Sequence, residues 1–314
     1  MNSSRVLLLV DGNNLFHRAY HALPPLTDKT GENANAVFGF SNMILKAIGE
    51  VKPDYIACAF DTKAPTFRHV EFEAYKAQRV APPPDLYPQL PKVKSVLDAF
   101  GIKYFEKAGY EADDLLASIA TKVLTGSERI SIVILSGDRD LLQMVDGSIK
   151  VQMPGWNLQT TTLFGSAEVR EKYGLEPHQM VDYKSMTGDP SDNVPGVAGI
   201  GPKTASTLLQ KYHTLEGIYK NLDEIAESTR VKLQKDKEVA LAAKKLVALD
   251  TDVDMRFTIY DLRFKPDWEK VRVEYEDLGF RSIVNKLPGA SDQRPEKVSE
   301  SKSEKKKSDQ LELI

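Results

Sequence analysis

Three short runs of uninterrupted apolar residues, Val6–Val10, Tyr55–Phe60 and Ile130–Leu135, constrain the fold of this chain more than any other feature. Continuous aliphatic and β-branched runs of this length suit strands covered on both faces, as in a parallel sheet. Stretches with helical apolar spacing lie between them. Ala36–Ile48 places Val37, Phe40, Ile44 and Ile48 on one side. Pro88–Phe100 does so with Leu90, Val93, Val96, Leu97 and Phe100, and Leu115–Val123 with Leu115, Leu116, Ile119, Ala120 and Val123. Strands alternating with helices predict an α/β domain, a mostly parallel sheet flanked by helices, running to about residue 175.

Ligands of such sheets collect beyond the carboxyl ends of the strands. Each of the three runs ends in aspartate there: Asp11 in V-D-G-N-N, Asp61 in F-D-T-K, and Asp138 and Asp140 in S-G-D-R-D. One such aspartate is commonly a turn residue. Three on one sheet edge predict an acidic cleft. Y-E-A-D-D-L-L adds Glu111, Asp113 and Asp114 at the entry to an apolar helix. Acids in a first helical turn complement the helix dipole by about 0.3–1 kcal/mol each. Each like-charge pair at roughly 4 Å and an effective dielectric near 20 costs about 4 kcal/mol, so dipole complementarity alone does not account for the crowding.

The region 176–288 reads as all-helical. Its landmark is G-V-A-G-I-G-P-K-T-A, residues 196–205, where Gly199, Ile200 and Gly201 precede a helix opened by Pro202, Lys203 and Thr204. A helix N-terminus with a close-approaching glycine loop suits a phosphate backbone, and Lys203 adds charge. G-D-P-S-D-N, just upstream, supplies Asp189 and Asp192. From Ala290 the chain is Ser-, Lys- and Glu-rich and reads as a disordered tail, 289–314. It ends on Gln310-Leu311-Glu312-Leu313-Ile314, an apolar anchor with no core to join.

Bulk properties restrict the alternatives. The net charge of −3 does not announce a nucleic-acid binder, so any basic surface must be local. The lone Cys58 lies inside an apolar run, which excludes an intrachain disulfide and fits a buried thiol in a reducing compartment. No run approaches the ~20 apolar residues of a membrane span, and the N-terminal apolar run is too short for a signal peptide. A cytoplasmic protein without membrane contact is expected. The acids Asp11, Asp61, Glu111, Asp113, Asp114, Asp138, Asp140, Asp189 and Asp192 have no matching set of histidines or cysteines, which argues against zinc. Oxygen-only donors favour Mg²⁺ or Mn²⁺, and two such ions about 3.5–4 Å apart are a usual clamp for phosphodiester cleavage.

V-D-G-N-N-L-F-H-R-A-Y, A-F-D-T-K, F-R-H, E-A-Y-K-A-Q-R, G-Y-E-A-D-D, S-G-D-R-D-L-L-Q-M, Y-K-S-M-T-G-D-P-S-D-N-V-P-G-V and G-I-G-P-K-T-A follow one another in this order. Together they resemble the 5′-nuclease domain of bacterial DNA polymerase I, in the flap endonuclease superfamily, over about residues 4–288. Ala198 stands where many relatives have proline, and no acidic position of the pattern is missing.

The resemblance implies a PIN-like nuclease core over 1–175 and a helix-hairpin-helix-type DNA-binding domain over 176–288. It implies a two-metal, structure-specific 5′→3′ exonuclease and flap endonuclease on branched or 5′-flap DNA. Asp11, Asp61, Glu111 and Asp113 would hold the first ion, and Asp138, Asp140 and Asp192 the second, with Asp114 and Asp189 nearby or acting through water. A helical arch over 62–84 would present Lys76 and Arg79, one helical turn apart, to the scissile phosphate, with Arg68 also on the DNA. The G-I-G loop, Gly199 to Thr204, would grip duplex backbone, with a K⁺ ion as a candidate there. Phe16 and Tyr20 are candidates for stacking on an unpaired base, with core packing the favoured role. Gln310, Leu311, Leu313 and Ile314 resemble a peptide that docks on the bacterial sliding clamp. No polymerase segment follows Ile314, so a stand-alone, monomeric nuclease is expected. Two readings stay open beside it: a ribonuclease trimming RNA primers from RNA–DNA hybrids, and a non-catalytic branched-DNA binding module.

Overall fold

The computed structural model describes residues 5–155, 158 and 160–289. Six strands form one sheet: β1 (Arg5–Asp11), β2 (Tyr55–Phe60), β3 (Lys103–Glu106), β4 (Ile130–Leu135), β5 (Ile149–Pro154) and β6 (Thr161–Phe164). Their order is β3-β2-β1-β4-β5-β6, all parallel except β6 against β5. The three expected strands are the three central ones. The sequence direction reverses between β1 and β4, and that crevice is where open α/β sheets bind ligands.

The helices of this half are α1 (Gly12–Ala22), α2 (Asn35–Val51), α3 (Phe67–Glu71), α4 (Leu90–Phe100), α5 (Ala112–Leu124) and α6 (Ser166–Tyr173). Strand side chains alternate between two cores. Leu8 and Val10 join Phe16, Phe40 and Phe100 on one face, while Leu7 and Leu9 join Leu115, Ile119 and Leu142 on the other. Phe16 is fully buried, so it packs the core and does not meet a base; Tyr20 donates to Asp85 at 2.7 Å. Cys58 is buried in the first of these cores.

The second half carries α7 (Met180–Thr187), α8 (Pro202–Tyr212), α9 (Leu215–Lys220), α10 (Glu227–Lys235), α11 (Lys237–Val247), α12 (Trp268–Asp277) and α13 (Arg281–Val284). Met186, Ile200, Leu208, Leu209 and Leu233 make its own core. The chain after α11 does not stay with that core. Val253, Met255 and Leu262 pack under the sheet, and Val271, Tyr275, Phe280 and Ile283 join the opposite sheet face, where α12 lies on α4. The helical region of 176–288 is therefore two things: a small helical unit, and a segment that returns to brace the sheet.

The expected helical arch differs in the structure. In 62–84 the helix is the five-residue α3, and the residues after it are turns. Lys76 has φ +56°, a left-handed conformation that ends any helix through it. Lys76 and Arg79 are joined by a turn, Arg79 N–H to the Lys76 carbonyl at 3.0 Å, and not by helical spacing.

Candidate metal centre

Asp11 ends β1 and caps α1: its Oδ1 accepts the Asn14 N–H at 2.9 Å and its Oδ2 accepts Ser136 Oγ at 2.5 Å. Ser136 follows the last residue of β4, so one hydroxyl ties the ends of the two strands that flank the crevice. Asp61, just past β2, accepts the Ala112 N–H at 2.7 Å and Asn13 Nδ2 at 2.7 Å. That bond fixes the N-terminus of α5, whose first turn carries Glu111 as N-cap and Asp113. Asp138 lies in the turn after β4, and its Oδ1 accepts the Asp140 N–H at 2.8 Å.

The second group joins Asp140, just past β4, to two acids from the other half of the chain. Asp140, Asp189 and Asp192 bring carboxylate oxygens within 4.8 Å of one another. Asp189 and Asp192 sit in a loop closed by the Asp189–Val194 bridge and held where Gly196 passes Met186. A Cβ at Gly196 would lie 2.3 Å from the Gly188 nitrogen and 2.5 Å from the Met186 carbonyl oxygen, so only glycine allows this approach.

The protein's own cations reach into these acids. Lys184 of α7 pairs with Asp140 and, at 2.7 Å, with Asp189. Lys76 reaches Glu111 at 2.6 Å and Asp192 at 3.7 Å, and Arg79 reaches Asp192 at 2.7 Å. The Tyr75 hydroxyl lies 3.0 Å from Glu111 and 3.1 Å from Asp192, bridging the two groups. Burial together with these two acids raises the Tyr75 pKa, so it stays a neutral donor.

Four acids carry raised pKa values. Burial first, with Asp61 and Asp138 adding repulsion, pushes Asp11 up to about 7 against its two hydrogen bonds. Burial and Glu111 raise Asp61; burial, Asp11, Asp138 and Asp61 raise Asp113; burial raises Asp138 against the pull of Lys184. Among the described residues Asp113 accepts no side-chain partner. Repulsion of this kind is what a bound divalent cation relieves, and the donors are all oxygen, which suits a hard ion.

One of the nine acids expected at the ions, and one of the bases expected at the DNA, are elsewhere. Asp114 is fully buried behind the cluster, and both of its oxygens are taken by Arg68 at 2.7 and 2.8 Å. Arg68, 2% exposed, also donates to the carbonyls of Leu246 and Ala248 and cannot reach a nucleic acid. Asp114 as a ligand and Arg68 as a DNA contact are corrected on that ground. Charge type is visible in a sequence, whereas burial behind a helix terminus is not. Tyr75 and Lys184 were missed, although both lie inside motifs that carry acids, and Lys184 sits five residues before Asp189.

The G-I-G loop is exposed apart from Ile200, 5% exposed, which anchors it in the helical core. Gly199 has φ +77° and its carbonyl accepts Lys232 Nζ at 3.1 Å; Gly201 caps α8, with Lys203 and Thr204 in the first turn. A cleft of about 410 Å³ opens beside Asp138 and Asp189, lined also by Arg139, Tyr183 and Lys184.

Profiles described as the 5′-3′ exonuclease N-terminal resolvase-like domain and C-terminal SAM fold match residues 6–174 and 175–270. The chain belongs to the 5′-3′ exonuclease family. It is 42% identical over 286 residues to DNA polymerase I of Caldicellulosiruptor bescii, covering 90% of this chain and 33% of that protein. It is 40% identical over 281 residues to the thermostable DNA polymerase I of Thermus aquaticus, again 90% of this chain and 33% of that protein. The chain thus spans about a third of the length of these relatives. In structure, this exonuclease-family fold is similar to the bacteriophage T5 D15 protein co-crystallised with metal ions (TM-score 0.64, 18% identity, 90% of this chain and 96% of that one). It is also similar to the catalytic core of Rad2 in complex with DNA substrate (TM-score 0.57, 16% identity, 90% and 92%). No helix among the described residues is long and apolar enough to cross a membrane.

The raised carboxylates of this family member predict an inverted pH response. Their folded pKa lies above the unfolded value near 4, so the stability they contribute is full below that value and is lost as pH rises through the folded pKa. In EDTA the melting temperature should fall by several degrees between pH 5.5 and pH 8. Saturating Mg²⁺ at pH 8 should restore it, since an ion held by the folded cleft and not by the unfolded chain would stabilise the fold. Calorimetry in four buffers checks this, and a metal-free melting temperature that rises toward pH 8 would contradict it.

Proposed function

We propose that this chain is a divalent-metal-dependent 5′→3′ exonuclease and 5′-flap endonuclease on branched DNA. The observation that carries the reading is the meeting, at the β1–β4 crevice, of four repelling carboxylates with the three-carboxylate group Asp140, Asp189 and Asp192. Asp11, Asp61, Glu111 and Asp113 would hold one ion, and Asp140, Asp189 and Asp192 a second, with Mg²⁺ or Mn²⁺ the candidates; Asp138, which repels Asp11 and Asp113 and is itself repelled by Asp189 and Asp192, stands between the two. Such a pair supplies an activated water and a charge-stabilised leaving oxygen.

The chain's own residues do the rest. Lys76 and Arg79 stand against Glu111 and Asp192, where a scissile phosphate would accept their charge in place of the carboxylates'. Tyr75 can hand its hydrogen bond to the same phosphate. The α8 N-terminus with Gly199, Ile200, Gly201, Lys203 and Thr204 offers amides and charge to duplex backbone, with K⁺ a candidate ion at the loop carbonyls. The division into a nuclease core and a backbone-binding unit belongs to this reading, as does a monomer working in the cytoplasm. The clamp-docking residues Gln310, Leu311, Leu313 and Ile314 lie outside the described residues; a fluorescent peptide of 304–314 with and without Leu313→Ala, titrated with a bacterial sliding clamp, tests that role.

Substrate choice tests the function. Among equal lengths of 5′-flap, 3′-flap and blunt duplex, each labelled on the candidate strand, the 5′ flap should be cut fastest, the blunt duplex more slowly, and the 3′ flap spared. Lys76→Ala should lower 5′-flap cleavage by about 10²-fold with the same products, since it removes a charge placed at the phosphate. Equal cutting of both flaps would remove the structure-specific reading. A 5′-RNA flap cut in preference to a 5′-DNA flap would favour the primer-trimming ribonuclease.

A further inference from the structure

Arg68 and Asp114 do work that neither was expected to do. Arg68 Nη1 and Nη2 donate to Asp114 Oδ2 and Oδ1 at 2.7 and 2.8 Å in a two-pronged pair. Nε donates to the Leu246 carbonyl at 2.7 Å and Nη2 also to the Ala248 carbonyl at 2.9 Å. Nη1 additionally lies 3.5 Å from Glu111 Oε2. Asp114 accepts, besides the guanidinium, the N–H of Glu111 at 3.1 Å and of Asp250 at 2.9 Å. The carboxylate's capacity of about four hydrogen bonds is filled.

The pair joins three chain segments. Arg68 lies in α3, at the root of the stretch that delivers Tyr75, Lys76 and Arg79. Asp114 is in the first turn of α5, beside Glu111 and Asp113. Leu246, Ala248 and Asp250 are the exit from α11, which packs on α7, the helix that carries Lys184 and leads into Asp189 and Asp192. The second acid group thus draws Asp189 and Asp192 from the other half of the chain and joins them to Asp140 of the first, and one buried guanidinium touches the elements behind both halves.

We propose that Arg68, through Asp114, is a positioning residue that sets the spacing between the two acid groups and hence the affinity for the second ion. This rests on the metal-dependent nuclease reading above. The physical basis is geometric. An arginine fork fixes direction as well as distance, whereas a lysine is a point charge on a flexible stem. A shift of about 1 Å at a reacting centre can cost about 10²-fold in rate. Arg68→Lys keeps the buried charge and loses the fork.

The test compares wild type, Arg68→Lys and Asp114→Asn at a temperature where calorimetry shows each fully folded. Mn²⁺ binding is followed by titration calorimetry, and kcat and KM are measured on the 5′-flap duplex. The expected result for both variants is a first Mn²⁺ bound as in wild type and a second bound at least about tenfold more weakly. In parallel kcat should fall by about tenfold or more with KM within about twofold. A merely structural pair would lower the melting temperature of both variants and leave the second Mn²⁺ and kcat unchanged below it, which would overturn the proposal. If one variant does not fold, the other decides by the same readouts; if neither folds, the pair is structural and the proposal falls. Wild type that binds no Mn²⁺ and cuts nothing would instead sink the nuclease reading itself.

Discussion

Asp113→Asn lowers 5′-flap cleavage by about 10³-fold or more and, in EDTA, raises the melting temperature. The two effects have one cause. Asp113 sits in the first turn of α5, where Asp11, Asp138, Asp61 and Glu111 all repel its charge, and its carboxylate has no side-chain partner among the described residues. Nothing structural is therefore lost when the charge goes. A missing ligand at a divalent site removes several kcal/mol of charge stabilisation from the reaction, and each ~1.4 kcal/mol is tenfold in rate. Without the ion the same carboxylate is a source of repulsion, so its neutral isostere stabilises the fold. Steady-state cleavage and calorimetry on one preparation test both signs. A variant with wild-type kcat, or one less stable than wild type in EDTA, contradicts the assignment.

Arg68→Ala destabilises the protein by about 3–5 kcal/mol. Asp114 is fully buried, and its carboxylate would keep two backbone N–H donors but lose its only counter-charge, while the Leu246 carbonyl would lose its guanidinium donor. A loss of this size lowers the melting temperature on the order of 10 °C in a chain this long. Removing both charges, as Arg68→Met with Asp114→Leu, should recover a large part of the loss, because the cost lies in the uncompensated buried charge. Denaturant unfolding of the two single variants and the double one measures the coupling. Additive losses would show that the pair is not a closed unit.

How far the sequence could be read follows from what each residue's type reports. The central strands were legible because strands buried on both faces are apolar at every position. β3, K-Y-F-E at the sheet edge, and β5, I-K-V-Q-M-P, mix polar with apolar residues and carry no such signal. The acids at the carboxyl ends of β1, β2 and β4 were legible because strand ends converge on one edge whatever the helices do. Asp114 was misassigned because it is one residue from Asp113, yet a step of one along a helix turns the side chain by about 100° and takes it from the cleft to the interior. Arg68 was misassigned for another reason: a cation near a phosphate site and a cation buried against a carboxylate read alike. Lys76 and Arg79 lie against Glu111 and Asp192 without the expected helical arch, since the left-handed Lys76 leaves no trace in a helical spacing of three. The return of α12 and α13 to the sheet was hidden as well. Their apolar period predicts helices but says nothing of which core they cover.

The central claim is that the carboxylates at the β1–β4 crevice hold metal for phosphodiester cleavage. The most direct measurement is a 5′-labelled flap duplex incubated with the purified protein, in Mg²⁺ and in EDTA, and resolved on a denaturing gel. Cleavage near the junction in Mg²⁺ and none in EDTA is the predicted result. Uncut flap in both, retained by the protein on a native gel, would contradict it and leave a branched-DNA binding module in its place.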